Sequence, residues 1–114
     1  MKKPGYVPER GDVVWLDFDP QAGHEQSGRR PAFVLSPATY NGKTGLMLCC
    51  PITTQVKGYP FEVAVEGTAK VQGVILADQV KSLDWQVRKA EKKGKVPKGV
   101  LEEVVDKVRA ILEG

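Results

Sequence analysis

Cysteine is scarce in this chain, and the two present, Cys49 and Cys50, are neighbours. Adjacent residues on a strand point to opposite faces and rarely bridge, so the sequence supports no disulfide framework. With no second pair of thiols it supports no cysteine zinc site either. Histidine is scarcer still, His24 being the only one. No apolar run is long enough to span a bilayer, which argues against a helical membrane protein. The opening stretch, MKKPGYVPERGD, has two lysines but no apolar core, so it does not read as a secretory signal. A reducing cytoplasm is the expected compartment. Neither sign of charge dominates: the net charge is +3 and the pI is near 8.9. That balance permits RNA or an acidic peptide as partner without requiring either.

What is there fits one domain, residues 1–114, with a modest core. No repeat, linker or low-complexity segment divides it. After a loose basic lead and a turn at Gly11 and Asp12, Val13 to Phe18 (VVWLDF) is dense in strand formers. Ala32 to Ser36 reads as a second strand. Tyr40 to Gly45 holds Asn41-Gly42, a strong turn signal. Leu46 to Thr54 reads as a third strand, in which Pro51 predicts an edge or a bulge. Phe61 to Val65 alternates, with Phe61, Val63 and Val65 on one face. Gly67 to Lys70 is a turn. Gly73 to Ala77 is an apolar strand continuing to Val80, and Arg88 to Lys95 is a charged, exposed ribbon. The period then changes: Val100, Leu101, Val104, Val105, Val108, Ile111 and Leu112 form one apolar helical stripe, and Pro97 suits its first turn. Short strands, glycine-rich turns and one closing helix predict a mainly β fold, a small barrel with a C-terminal α-helix packed on it.

The stretch most suited to chemistry is Gly23 to Pro37, GHEQSGRRPAFVLSP. It is a polar, glycine-punctuated loop feeding an apolar strand. Pro31 pushes Arg30 toward extended backbone angles, so Arg30 is expected at a strand mouth on a stiff backbone. Fixed there beside a loop carrying His24 and Glu25, it marks a candidate site. The alternative is that Glu25, Arg29 and Arg30 are ordinary solvated loop charges.

Four segments in order, GDVVWLDFDP, GHEQSGRRPAFVLSP, YNGKTGLMLCCPITTQVKGYPFEV and GVILADQVKSLDW, resemble the MazF/PemK toxins. These are sequence-specific endoribonucleases of type II toxin–antitoxin pairs. The resemblance runs from Gly11 to Trp85, more loosely through the final helix. It implies an SH3-like barrel of the CcdB/Kid/MazF kind and a homodimer. It also implies cleavage of single-stranded RNA such as mRNA with no metal or other cofactor, and inhibition by a MazE-like antitoxin with an acidic tail. The implied reaction is attack of a ribose 2′-hydroxyl on its own 3′-phosphate.

On this resemblance Arg30 aligns with the family's catalytic arginine and Thr53 with its catalytic threonine. The guanidinium fork matches phosphate oxygens and keeps its charge when desolvated, and a threonine hydroxyl can donate to the phosphate. Glu25 and His24 are the further catalytic candidates. Histidine suits proton transfer near neutral pH, whereas Glu25 could act as base, orient Arg30 or contact a base. Arg29, with more freedom than Arg30, is expected to bind RNA or antitoxin. Gln26, Lys57, Tyr59, Asp78 and Gln79 are the other RNA-binding candidates. In the PemK/Kid branch an aspartate matching Asp78 is a general base working with an arginine two residues earlier; here that position is Leu76, so Asp78 is read as structural or RNA-contacting. Trp15 and Trp85 are read as packing residues. A different class, a CcdB-like toxin that poisons a protein without catalysis, is the alternative function. Joint presence of Arg30 and Thr53 around one phosphate-sized gap separates the two.

Overall fold

The structure, a computed structural model, describes residues 5–18, 29–65 and 71–114. It is mainly β. Strands β1 (Asp12–Asp17), β2 (Arg29–Val34), β3 (Leu46–Thr53), β4 (Glu62–Ala64), β5 (Val74–Leu76), β6 (Lys81–Asp84) and β7 (Glu91–Lys95) are joined by helix α1 (Ala38–Thr44) and closed by helix α2 (Lys98–Glu113). All pairings are antiparallel, in the order β4-β5-β3-β2-β1-β7, with β6 also on β3. The sheet curls into a half-barrel. Among the described residues, no helix is long and apolar enough to cross a membrane.

Both faces of the sheet are buried, and the alternation of the strands decides which residue goes where. Val13, Phe33, Cys50, Ile52 and Ile75 pack on one face, where Val104 of α2 covers them and Val100, Leu101 and Val108 extend the contact. Val14, Leu16, Ala32, Val34, Met47 and Cys49 pack on the other, beneath Tyr6, Val7 and Trp85. Cys49 and Cys50 therefore enter different clusters, as their adjacency requires. Phe61, Val63 and Val65 do share one cluster. The helical stripe outruns the sheet: Ile111 is 46% exposed and Leu112 80%.

The Asn41-Gly42 signal does not make a hairpin turn; Tyr40 to Gly45 belongs largely to helix α1. Asn41 is fully buried, its amide donating to the carbonyls of Pro8 and Ser36 at 2.8 and 2.9 Å. The left-handed position falls on Gly45 (φ 74°), which ends the helix by donating its N–H to the Asn41 carbonyl. The Gly73–Val80 strand is shorter than expected. The chain turns after Leu76, the Gln79 N–H donating to the Leu76 carbonyl at 3.0 Å, before β6 begins at Lys81. The charged ribbon turns out to be edge strand β7 on β1, its lysines suiting an edge that must not pair further. Pro97 caps α2 from just outside, one residue before the first turn. The turn read at Gly67 to Lys70 lies outside the described residues.

The buried Asp12 carboxylate, 1% exposed, ties the N-terminal arm to β7. It accepts from the Tyr6 hydroxyl, the Glu9 N–H at 3.0 Å and Lys95 Nζ at 3.2 Å.

Burial raises the thiols of Cys49 and Cys50 from 9.0 to about 12. A neutral thiol favoured by the fold gives stability that is complete below pH 9 and lost as pH rises toward 12. Alkylation at pH 8 is therefore expected to be about a thousandfold slower in the folded protein than in denaturant. The urea midpoint should fall above pH 9. Equal alkylation rates in the two states would contradict this packing.

Candidate active site

The site lies where β2 begins and β3 ends. Arg29 and Arg30 leave β2 on opposite faces, as adjacent strand residues must, and their fates differ. Arg29 is tethered: its guanidinium donates to Asp17 at 3.2 Å, to the Lys89 carbonyl at 2.9 Å and to Glu91 at 3.4 Å. Lys93 first, then Arg29, holds the Glu91 carboxyl below its usual range. Arg88 seals the same corner, donating to the carbonyls of Asp17 and Phe18. The expectation that Arg29 is the freer arginine is thus corrected: the β1–β2 register sets it directly opposite Asp17. Arg30 pairs with Leu16 through the ladder, but its side chain is exposed, and among the described residues its guanidinium has no hydrogen-bond or ion-pair partner.

Strand β3 brings Thr53 to the same place. The β2–β3 ladder pairs Ala32 with Pro51; carried two residues further, that register sets Arg30 opposite Thr53. Cross-strand partners project to the same face of a sheet. Pro51 is tolerated inside β3 for a readable reason. Leu48 turns its backbone groups toward β2, its carbonyl accepting from the Leu35 N–H at 2.8 Å. Pro51, three residues on, therefore turns its nitrogen the other way. There it meets the gap between β6, which pairs as far as Cys49, and β5, which begins at Ile52. A residue without an N–H loses no ladder bond at that point.

The Thr53 hydroxyl is oriented too. Its oxygen accepts the Gln55 N–H at 3.1 Å, a local side-chain turn that leaves the O–H free to donate outward. Gly73, just before β5, presses on the same residue. It holds φ +124°, and a Cβ there would run into the Thr53 carbonyl oxygen and come within 2.8 Å of the carbonyl carbon. Only glycine allows both that angle and that approach.

Arg30 and Thr53 line one cleft of about 580 Å³, together with Trp15, Pro31, Ile52, Thr54, Gln55, Val71 and Gln72. The expected pair is brought together. His24, Glu25 and Gln26 lie outside the described residues. Lys57 and Tyr59 are exposed further along the connection that follows β3, where the Lys57 and Gly58 N–H groups donate to the Glu62 carboxylate at 3.0 and 2.9 Å. Asp78 and Gln79 are exposed in the β5–β6 turn. None of these four lines the cleft. Trp85 is buried, as read, its indole N–H donating to the Asn41 carbonyl at 2.9 Å. Trp15, also read as packing, forms part of the cleft wall. Gln55 and Gln72 carried no signal beyond their neighbours Thr53 and Gly73. Among the described residues, no three His, Cys, Asp or Glu side chains group as a metal site.

The sequence profile of the PemK-like, MazF-like toxins of type II toxin–antitoxin systems matches residues 9–112. The chain belongs to this family. It is similar to the endoribonuclease toxin MazF of Escherichia coli K12, 54% identical over 107 residues, covering 94% of this chain and 96% of that one. Crystallised MazF of Deinococcus radiodurans superposes with a TM-score of 0.86 at 56% identity, over 96% of this chain and all of the other. A MazE–MazF complex from the same organism matches with a TM-score of 0.85 at 50% identity, over 96% and 98% of the two chains. The MazF-like half-barrel with its C-terminal helix is thus the fold of this chain.

In this MazF-like frame Gly73→Ala is expected to lower stability by about 2–4 kcal/mol, through backbone strain plus overpacking. Gly42→Ala, whose Cβ meets only Val7 at 3.6 Å, should be neutral or stabilising by up to about 1 kcal/mol. Urea melts measure both, and equal effects would contradict the Gly73–Thr53 contact.

Proposed function

We propose that this protein is a sequence-specific endoribonuclease toxin that cuts single-stranded RNA, mRNA above all, and that a cognate antitoxin neutralises. The observation that carries the reading is Arg30, at the start of β2, and Thr53, at the end of β3, lining one cleft. A protein-poisoning toxin needs no such pair, whereas a phosphodiester needs both cation and donor.

In the proposed reaction the ribose 2′-oxygen attacks the adjacent phosphorus and the bond to the 5′-oxygen breaks. The 2′-proton goes to a base, and an acid supplies one to the leaving oxygen. The products are a 2′,3′-cyclic phosphate and a 5′-hydroxyl, with no water consumed. Arg30 binds the phosphoryl oxygens in two-pronged fashion and offsets the charge that develops on them. Thr53, its oxygen already engaged by the Gln55 N–H, directs its own proton to the same group. The proton transfers fall to His24 and Glu25, a few positions before Arg29 in the sequence, with no metal in the scheme. Arg29 holds the strand mouth rigid so that Arg30 meets the phosphate without searching. Lys57, Tyr59, Asp78, Gln79 and Gln26 contact the RNA beyond the reacting phosphate.

The working form is a cytoplasmic homodimer. The MazE–MazF complex of a chain 50% identical to this one supports an antitoxin as its partner. An acidic segment that orders on binding would compete with RNA for Arg30.

With RNA oligonucleotides in EDTA and mass spectrometry of the products, the wild type is expected to leave cyclic phosphate ends and to spare the 2′-deoxy analogue. Arg30→Ala should lower kcat about 10²–10³-fold in a folded protein, the loss typical of a deleted oxyanion donor. Undiminished cleavage by folded Arg30→Ala would refute the site, and inactivity of the folded wild type would favour the protein-poisoning alternative.

A further inference from the structure

Two uncharged amides, Gln72 and Gln55, stand on the wall of the cleft beside Thr53, where phosphate chemistry alone has no use for them. A phosphate oxygen only accepts hydrogen bonds. A site built for phosphate is lined with cations, hydroxyls and N–H groups, and an amide oxygen facing it is unfavourable. An amide places a donor and an acceptor side by side, which is the pattern on the edge of a nucleobase.

Gln72 is held as a reading residue would have to be. Its side chain is exposed, but the backbone on both sides is anchored. Val71, before it, is 4% exposed and packs in the core under α2. Gly73, after it, lies against the Thr53 carbonyl, and its own carbonyl accepts the Val65 N–H at 3.0 Å. Val74 then pairs with Thr53 across the β3–β5 ladder. The backbone at Gln72 is thus held beside Thr53 by the contacts of its neighbours on either side. Gln55 is fixed to the same hydroxyl through its N–H at 3.1 Å. Trp15 lines the same cleft, and an aromatic residue is the usual companion of an unstacked RNA base.

We infer that Gln72 is a specificity-determining residue that reads the edge of the nucleobase flanking the scissile phosphate, with Gln55 as its neighbour and Trp15 as the apolar wall. This rests on the ribonuclease reading above and names which part of the substrate the cleft selects. The ligand is the base of one nucleotide in single-stranded RNA.

The test compares wild type, Gln72→Ala and Gln72→Glu on a randomised single-stranded RNA pool. The cut ends are sequenced, and initial rates are measured on oligonucleotides that differ only at each position beside the cut. Both side chains are exposed replacements, and matching thermal midpoints check that the variants fold. Gln72→Ala is expected to lose about tenfold of base discrimination at one position beside the cut. The cyclic phosphate product and the preferences elsewhere should remain. Gln72→Glu, which only accepts, should shift the preferred base at that position toward one that presents a donor. Identical base profiles for all three proteins would overturn the inference, as would a variant that is uniformly slower with an unchanged profile. A folded wild type that cuts no RNA would remove the ribonuclease reading itself, an outcome distinct from a cutting enzyme whose specificity ignores Gln72.

Discussion

Strand β3 must serve three neighbours at once, and the site depends on how it does so. Along one edge it stays paired to β2; along the other it is handed from β6 to β5. The handover falls at Pro51, which has no N–H to offer there, and just beyond it β5 can come unusually close because its first contact is through Gly73. Without that glycine, β5 would have to retreat from Thr53 and the wall of the cleft would retreat with it. The same pairing along β2 brings Arg30 to the cleft that Thr53 lines. One constraint, the close packing of backbones around the end of β3, fixes a cation and a hydroxyl drawn from distant parts of the sequence.

The paired arginines divide two tasks between them. A strand places consecutive side chains on opposite faces, so Arg29 and Arg30 cannot share a role. Arg29 is spent on Asp17, Glu91 and backbone carbonyls of the β6–β7 connection. It keeps the mouth of β2 closed onto β1 and β7, while Arg30 stays available in the cleft. The ion pair is partly solvated, and its worth lies less in stability, about 1 kcal/mol at most for such pairs, than in limiting the directions that the neighbouring residue can take.

Much of this was legible in the residues. Alternation put Phe61, Val63 and Val65 on one face, the change of period marked α2, and Pro31 marked the stiff strand mouth at Arg30. The register of β2 on β3, which brings Arg30 and Thr53 to one cleft, was not legible, because it depends on pairing between remote segments. Asn41-Gly42 misled for a related reason. Its local preference for a tight turn lost to the buried hydrogen bonds that Asn41 makes with Pro8 and Ser36. Arg29 misled because its partners, Lys89 and Glu91, arrive only when β7 joins the sheet. Gln72 gave no signal at all: a polar residue before a glycine is common, and only the approach of Gly73 to Thr53 makes it special.

The central claim is that Arg30 and Thr53 act on one phosphate as a unit. A double-mutant cycle on cleavage tests it most directly, with kcat/KM measured for wild type, Arg30→Ala, Thr53→Ala and the combined variant on one RNA substrate. If the two side chains hold the same phosphoryl group, the combined loss falls short of the sum of the single losses by about 1 kcal/mol or more. Losses that add to within about 0.5 kcal/mol would mean that the two residues work at separate places, and would contradict the account.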